Sequence, residues 1–252
     1  GWSDCDVIQR TRSGKKALHE TSFEILRSLP ELNINPGIEV YNQFLEHFAK
    51  THNYRKTKYI LRLMSNSKPK VVPNYTSYGH LIHCFTEAKK PRSALSIYNQ
   101  MLQRRMVPNS YHYMGLIKAL TLLQDGLSCV QVIVEMQEKE IEPSRKHFGM
   151  TMFACITADQ CDLALKVFDM YEMQGKTPDN ALYTLKLRAL LQLGRWDEGV
   201  SLFHKLISES VESNFYTATA LLQYQIIDGR YSQAQETLNL INNWILSGNK
   251  ET

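Results

Sequence analysis

Prolines recur at a fixed interval through the middle of this chain of 252 residues. Pro73, Pro108, Pro143 and Pro178 follow one another at intervals of 35 residues. A fixed period of this length is typical of repeat architectures, in which each repeat is a small unit that is stable only when stacked on its neighbours. The period therefore restricts the possible folds more strongly than any property of the composition.

Aromatic and large apolar residues keep the same period. Five residues after each proline, beginning with Pro36, the chain has Tyr41, Tyr78, Tyr113, Phe148 and Tyr183. Later in each period come Leu61, Tyr98, Ile133, Phe168, Phe203 and Leu238, and three residues further on Met64, Met101, Met136, Tyr171, Leu206 and Ile241. Within one period the apolar residues have helical spacing, which predicts two antiparallel helices per repeat.

The connections between the two helices contain helix-breaking residues. In "EAKKPRS", Pro91 interrupts the pattern and Ser93 is a candidate cap for the second helix. The proline at the end of each repeat is expected to stop the second helix, because proline cannot continue a helix and disfavours helix in the residue before it.

The predicted fold is all-α, a right-handed α-solenoid of helix–turn–helix repeats whose first helices line a concave face. We divide the chain into a partial N-terminal repeat, six complete repeats and a short tail. The boundaries are 1–37, 38–74, 75–109, 110–144, 145–179, 180–214, 215–249 and 250–252. Phe23, Leu26 and Leu29 keep the period, so the partial repeat is expected to contribute its second helix.

Composition excludes few functions. The formal net charge of +4 permits an anionic partner without pointing to one. The five cysteines include no CxxC pair and fall mostly at apolar helical positions, so they are expected to be reduced core residues. No apolar stretch is long enough to predict a membrane span.

The repeats resemble one known family. The segments "YTSYGHLIHCFTEAKKPRSALSIYNQMLQRRMVPN" and "NALYTLKLRALLQLGRWDEGVSLFHKLISESVESN" resemble pentatricopeptide repeats, and nearly all of the chain shares their pattern. Tetratricopeptide repeats fit less well, because they have a period of 34 residues with Trp and Leu-Gly at set places. The resemblance implies a protein that binds single-stranded RNA in mitochondria, or in plastids, with one base per repeat.

The resemblance also implies which residues contact each base. The first base-reading position lies just after the opening aromatic, and the second just after the closing proline. The pairs are Asn42 with Asn74, Gly79 with Asn109, Met114 with Ser144, Gly149 with Asp179, Thr184 with Asn214, and Thr219 with Asn249 on the tail. Asn42 with Asn74 suits a pyrimidine, and Thr184 with Asn214 resembles the adenine pair. Glycine and methionine lack the hydrogen bond expected at the first position.

Other residues are candidates for contacts to the RNA backbone or to stacked bases. Tyr111 and Tyr216 occupy the place where the family inserts an aliphatic residue between bases, and they are expected to stack. Lys146 occupies the same place, whereas Glu39 would repel phosphate. One helical turn after the first base-reading position stand Lys118, Arg188 and His83; the two cations are candidates for phosphate, and His83 for a polar contact.

Neither a metal site nor a catalytic site is predicted. His80, His83 and Cys84 are close in sequence, but no CxxC or HxxxH pair completes the four ligands of a structural zinc site. The sequence has no glycine-rich phosphate loop, GxSxG or HExxH, so no enzyme activity and no cofactor are expected. The pairs Lys89-Lys90 and Arg104-Arg105 are expected to be solvated surface charges.

Two functions remain open at this point. The first is an RNA-binding protein of organellar RNA metabolism or translation. The second is a scaffold subunit of an organellar ribonucleoprotein such as the mitochondrial ribosome, with protein or structured-RNA contacts and no base code. The imperfect middle pairs and the modest charge favour the second, and the pairs at the edges favour the first.

Overall fold

The structure, a computed structural model, describes residues 23–29, 36–209 and 215–248, and within them every regular element is helical. Helix α1 comprises the described helical residues 23–28. The others are α2 (Ile38–Lys50), α3 (Tyr54–Asn66), α4 (Tyr75–Glu87), α5 (Pro91–Gln103), α6 (Ser110–Leu122), α7 (Gly126–Glu138), α8 (Arg145–Thr157), α9 (Cys161–Glu172), α10 (Asn180–Gln192), α11 (Trp196–Glu209), α12 (Phe215–Ile227) and α13 (Tyr231–Gly248). Even-numbered helices from α2 onward are the first helices of their hairpins, and odd-numbered helices from α3 onward are the second.

Left-handed backbone residues mark the ends of the helices and keep the period of the sequence. Between the two helices of a hairpin the positive φ falls at His52, Lys89, Gln124, Asp159, Gly194 and Gly229, and after second helices it falls at Arg105, Glu140 and Gly175. A single left-handed residue ends a helix and lets the chain turn back. The recurrence of this conformation explains why successive hairpins have the same geometry.

Two sequence expectations about helix ends were wrong. The closing prolines do not stop the second helices: α5 ends at Gln103 and α7 at Glu138, whereas Pro108 and Pro143 come later, beyond the left-handed residues. Ser93 does not cap α5, because Pro91 occupies the first turn and Lys90 is the N-cap. Proline is well suited to the first helical position, since its fixed φ is helical and no partner is needed for its nitrogen.

Most of the periodic residues form the core, although Leu238 is exposed and Leu61 and Tyr183 are only partly buried. Tyr41, Tyr78, Tyr113 and Phe148 are 2% exposed or less, and Met64, Met101 and Met136 are fully buried behind them. Cys84, Cys129, Cys155 and Cys161 are also buried and free, while Cys5 lies outside the described residues. Burial raises the pKa of Cys129 to about 12 and that of Cys155 to about 11, so both are thiols packed in the core.

The chain divides into two compact units, Gly1–Leu116 (unit 1) and Ile117–Thr252 (unit 2), and the division falls inside α6. In unit 1, α2 packs beside α4, and each packs on its own second helix, α3 or α5. In unit 2, α10 packs between α8 and α12, and α8, α10 and α12 pack on α9, α11 and α13. We call the exposed side of the first helices of each unit its first-helix face, and that of the second helices its second-helix face.

Candidate nucleic-acid interface

Asn42 and Asn74, the predicted base-reading pair of the first complete repeat, are hydrogen-bonded to each other. Asn42 Nδ2 donates to Asn74 Oδ1 at 3.1 Å. A third residue, Ser77, holds both: its hydroxyl donates to Asn42 Oδ1 at 2.5 Å, and its backbone N–H donates to Asn74 Oδ1 at 3.0 Å. Ser77 is fully buried in the first turn of α4, where it forms a capping box with Asn74. The structure therefore joins two predicted residues to a third that the sequence prediction did not include.

The same contact recurs around Thr184 in unit 2. The Thr184 hydroxyl donates to the Asn180 carbonyl at 2.7 Å and lies 2.9 Å from the hydroxyl of Thr217, which is buried in the first turn of α12. Thr217 corresponds to Ser77 in its repeat. The predicted partner of Thr184, Asn214, lies outside the described residues. The pattern Asn-x-x-Ser at 74–77, a capping box in the sequence, was the signal that could have identified Ser77.

The two glycine positions are covered by neighbouring side chains. A Cβ built on Gly79 would lie 3.0 Å from the ring carbons of Tyr111, and one on Gly149 would lie 3.6 Å from Leu182. Tyr111 is 47% exposed and stacks on His83, with the ring planes 10° apart and the centroids 6.0 Å apart. The Tyr111 ring thus lies across the place where the first base-reading side chain of this repeat would project.

The predicted second base-reading residues immediately precede the following helices. The side chains of Asn109 and Asp179 accept hydrogen bonds from the backbone of α6 and α10, and Ser144 Oγ lies 2.7 Å from His147 Nδ1. Asn109 Oδ1 is also 2.5 Å from Nδ1 of His112, a histidine that is 2% exposed. These contacts fix the three side chains at helix N-termini.

The remaining predicted residues lie on the first helices with different surroundings. Met114 is half-buried and Lys146 is exposed. Tyr216 is 79% exposed, and its carbonyl accepts the Thr219 hydroxyl at 2.9 Å. The Tyr216 ring is therefore exposed enough to stack on a base, whereas the Thr219 hydroxyl donates its hydrogen bond within its own helix.

Charge differs between the two first-helix faces. In unit 2 the first helices bear Lys118, Lys146 and Arg188, with Arg145 paired to Asp179 at 2.9 Å. In unit 1 they bear Glu39, Glu46 and Glu87. A hydrogen bond from Lys50 lowers the pKa of Glu46, and burial together with the negative charges of Glu46 and Glu87 raises the pKa of Tyr111. The stacked Tyr111 ring of unit 1 therefore lies in a negative environment.

The histidines and acids of the described residues form no group of three or more that could hold a metal ion. Burial is the largest cause of the lowered pKa of His80, which favours a neutral imidazole there. None of the helices in the described part of the chain has the length and apolar character needed to cross a membrane.

Models of known repeats match two parts of the chain. The PPR repeat family matches residues 73–121 and the PPR repeat matches residues 183–211, where PPR stands for pentatricopeptide repeat. Among Arabidopsis thaliana relatives, a chloroplastic pentatricopeptide repeat-containing protein is 23% identical over 212 residues, which are 76% of this chain and 26% of the relative. A mitochondrial one is 23% identical over 186 residues, covering 71% and 29%. The chain thus spans about a quarter of the length of these relatives.

Solved structures of the same kind share the fold. The maize pentatricopeptide repeat protein PPR10, in complex with an 18-nt psaJ RNA element, matches with a TM-score of 0.65 and 14% identity, over 98% of this chain and 39% of that one. The PPR domain of Arabidopsis thaliana protein-only RNase P 1, in complex with tRNA, matches with a TM-score of 0.64 and 14% identity, over 74% and 97%. The predicted fold class, an all-α solenoid of helix–turn–helix repeats, is confirmed. The chain thus contains pentatricopeptide repeats at residues 73–121 and 183–211, and its relatives over about three quarters of its length are pentatricopeptide repeat-containing proteins.

Proposed function

We propose that this chain binds single-stranded RNA along its first-helix faces and acts in organellar RNA metabolism or translation, in mitochondria or plastids. The observation that carries the proposal is the pair Asn42 and Asn74, whose amides meet at 3.1 Å where the family contacts a base. Relatives named mitochondrial or chloroplastic support the location, and the RNA in two similar structures supports the ligand.

The bonds around the Asn42–Asn74 pair determine what it can offer to a base. Asn74 Oδ1 accepts from Ser77 N and from Asn42 Nδ2, and Asn42 Oδ1 accepts from the Ser77 hydroxyl. Both carbonyl oxygens already accept hydrogen bonds within the site, whereas Asn42 Nδ2 uses only one of its two hydrogens, so what the pair offers is mainly N–H donors. Donors suit the acceptors of a pyrimidine Watson–Crick edge, which are the two carbonyl oxygens of uracil, or the carbonyl oxygen and ring nitrogen of cytosine, in agreement with the base that the family resemblance implies.

Thr184 offers the opposite polarity. Its proton is donated to the Asn180 carbonyl, so the nearby Thr217 hydroxyl donates to Thr184 Oγ1. The remaining lone pair of Thr184 is an acceptor, which suits the exocyclic amine of adenine. The repeat that contains Asn42 and the repeat that contains Thr184 therefore favour different bases.

The second candidate function is a scaffold subunit of an organellar ribonucleoprotein such as the mitochondrial ribosome. The observation that favours it is the covering of Gly79 by Tyr111 and the packing of Leu182 against Gly149, because these two repeats have no side chain at the first base-reading position. A chain of this kind would contact protein or structured RNA without a base code.

Crosslinking in organelle extracts, followed by sequencing of the attached RNA, tests both functions. Mitochondrial and chloroplast extracts are treated in parallel with the wild-type chain and with an Asn42→Ala/Thr184→Ala variant. Binding to single-stranded RNA predicts a few enriched transcript segments that the variant loses. Recovery of ribosomal RNA alone, unaffected by the variant, supports the scaffold, and recovery of no RNA contradicts RNA binding altogether.

A further inference from the structure

The cations of unit 1 are concentrated on its second helices. Between Glu46 and Asp125 the chain has 13 lysines and arginines but a single carboxylate, Glu87, so this segment is strongly basic although the whole chain has a net charge of only +4. Two of the 13, Lys50 on α2 and Lys118 on α6 in unit 2, lie on first helices. Helices α3 and α5 contain no acidic residue at all. They carry Arg55, Lys56, Lys58, Arg62 and Arg92, and the turns beside them carry Lys68, Lys70, Lys89, Lys90, Arg104 and Arg105.

These cations are accessible to a ligand. Arg55, Lys58, Arg62 and Arg92 are exposed, and none of the four forms an ion pair with any described residue. By contrast, several cations of unit 2 are already neutralised, as in Lys139 with Glu135, Lys176 with Glu142 and Arg195 with Glu198. Lysines and arginines that are exposed and close together without carboxylates create a positive potential that attracts polyanions.

Neutral hydrogen-bonding side chains lie between the cations. On α5 an exposed row with helical spacing contains Arg92, Ser96, Asn99 and Gln103. A shallow groove of about 310 Å³ is lined by Lys58, Arg92, Ser93 and Ser96, with Leu61, Phe85 and Ile97 at its floor. Hydroxyl and amide groups alternating with cations are the groups that proteins use to contact phosphate and sugar oxygens.

The same face lacks the residues that bind unpaired bases or lipid. The most exposed aromatic residues described in unit 1, Tyr75 and Tyr111, both lie on first helices. Tyr54 and Tyr59 of α3 are only partly exposed, and their rings already contact Lys90 and Arg27, so α3 and α5 offer little surface for stacking bases. The only large apolar residue of α3 and α5 that is strongly exposed is Leu102, at 39%. Insertion into a membrane interface needs a broader apolar side than this. The interactions that this face can still offer a ligand are charge attraction and hydrogen bonds, which suit a regular phosphate backbone.

We propose that the second-helix face of unit 1 is a second RNA-binding surface, which binds the phosphate backbone of base-paired RNA. The ligand class is an A-form duplex, recognised by its phosphates and 2′-hydroxyls and not by its base sequence. The surface is separate from the base-reading positions, all of which lie on or next to first helices. One chain would thereby hold a structured region of an RNA on one face and read an unpaired region on the other.

The test uses a perfectly paired RNA duplex of about 20 base pairs, long enough to span two successive minor grooves. The variant is Arg55→Gln/Lys58→Gln/Arg62→Gln/Arg92→Gln, which keeps the aliphatic stems and removes four charges. We expect a loss of duplex affinity of at least about 100-fold at low salt, and a decrease of about 3 in the slope of log K against log salt. The matched control is Lys118→Ala/Arg188→Ala, which should keep the duplex affinity while losing single-stranded RNA.

A conservative variant separates binding from folding. Arg55→Lys/Arg62→Lys/Arg92→Lys keeps the charge, and it should retain the duplex affinity and the salt slope within about threefold. Thermal unfolding of each variant shows whether the hairpins remain intact. Equal duplex affinity of the wild type and the four-glutamine variant would overturn the proposal, as would wild-type chain that binds vesicles of phosphatidylcholine with cardiolipin but not the duplex. A wild-type chain that binds the duplex but no single-stranded RNA would count against the function proposed above and not against this surface.

Discussion

In the helix pairs α2–α5 of unit 1 the carboxylates lie on the first helices and every cation except Lys50 lies on the second, whereas unit 2 has largely the reverse arrangement. The first helices of unit 1 bear Glu39, Glu46 and Glu87, and its second helices bear no acid. The second helices of unit 2 bear Glu135, Glu138, Asp162, Asp169, Glu172, Asp197, Glu198 and Glu236, against few cations, while α8 and α10 bear basic residues and no acid. Similar hairpins therefore present opposite charge on corresponding sides.

This reversal shows that the repeat geometry and the charge of its faces are independent properties. The buried rows and left-handed residues recur in both units and hold the helices in place. The exposed positions between them are free to differ, because a surface substitution changes folding energy little. The first-helix face of unit 2 is then suited to attract a phosphate chain, whereas that of unit 1 can contribute only hydrogen bonds and stacking.

The largest effect should come from neutralising the first-helix cations of unit 2. We expect Lys118→Ala/Arg188→Ala to weaken binding of single-stranded RNA about 100-fold at low salt, because each charge-assisted phosphate contact contributes about tenfold. The log–log salt slope should fall by about 0.7 per lost contact. Filter binding at several salt concentrations measures both. Lys166→Ala/Lys205→Ala, on the second helices of the same unit, is the matched control, and an equal loss there would remove the distinction between the faces.

Neutralising two carboxylates on the first helices of unit 1 should strengthen the binding of single-stranded RNA, by a smaller factor. Glu46→Gln/Glu87→Gln abolishes two negative charges near Tyr111 and releases Lys50 from its ion pair with Glu46. Single-stranded RNA should bind about three- to fivefold more tightly, as expected for screened charges at a surface. Glu138→Gln/Glu172→Gln, on the second helices of unit 2, should leave the affinity unchanged. If the unit 1 variant binds no more tightly than wild type, its first helices do not contact RNA.

Replacing Ser77 should change the preference for one base over another more than it changes the overall affinity for RNA. Ser77→Ala removes the hydroxyl that donates to Asn42 Oδ1, so the amide is free to rotate and present its oxygen. In selections from a random RNA pool we expect preference for a pyrimidine at one position to fall about fivefold, the size of one hydrogen bond. Ser77→Thr keeps the hydroxyl, as Thr217 does at the equivalent position of unit 2, and should keep the preference. A preference unchanged in Ser77→Ala would exclude this orienting role.

The period allowed the sequence to predict the helix hairpins and the buried rows, because only stacked repeats can bury residues such as Tyr78 and Met101. It did not reveal how the helices end. Four of the six left-handed positions between paired helices are His52, Lys89, Gln124 and Asp159, which lack the glycine that usually signals this conformation. Proline is the more conspicuous signal in the sequence, but α5 and α7 end several residues before Pro108 and Pro143.

The base-reading pairs were assigned from the family pattern, and their surroundings depend on neighbours from the next repeat. The contact of Ser77 with Asn42 joins residues 35 positions apart. The covering of Gly79 by Tyr111 likewise requires the two first helices to pack side by side. No local pattern contains this information. The basic segment between Glu46 and Asp125 is different: it is visible in the sequence, and it was concealed only because the net charge averages over both units.

The smallest expected effects concern the cations that unit 1 holds in left-handed conformation. Lys89 and Arg105 have φ of 54° and 57°, whereas three of the six equivalent left-handed positions described in unit 2 have glycine: Gly175, Gly194 and Gly229. A side chain in this conformation costs about 1 kcal/mol relative to glycine. Lys89→Gly/Arg105→Gly should therefore raise the free energy of unfolding by about 1 to 2 kcal/mol while weakening binding of the RNA duplex several-fold.

Denaturant unfolding and duplex titration of the same preparations measure the two quantities together. Gln124→Gly, at a left-handed position of unit 2 without charge, is the matched control and should gain stability with no loss of affinity. If Lys89→Gly/Arg105→Gly gains stability and keeps its duplex affinity, these two cations take no part in the basic face of unit 1. If Lys89→Gly/Arg105→Gly gains stability and loses affinity for the duplex, the two cations contribute to RNA binding and lower the stability of the fold. Glycine at these turns would then give a more stable chain that binds the duplex less tightly.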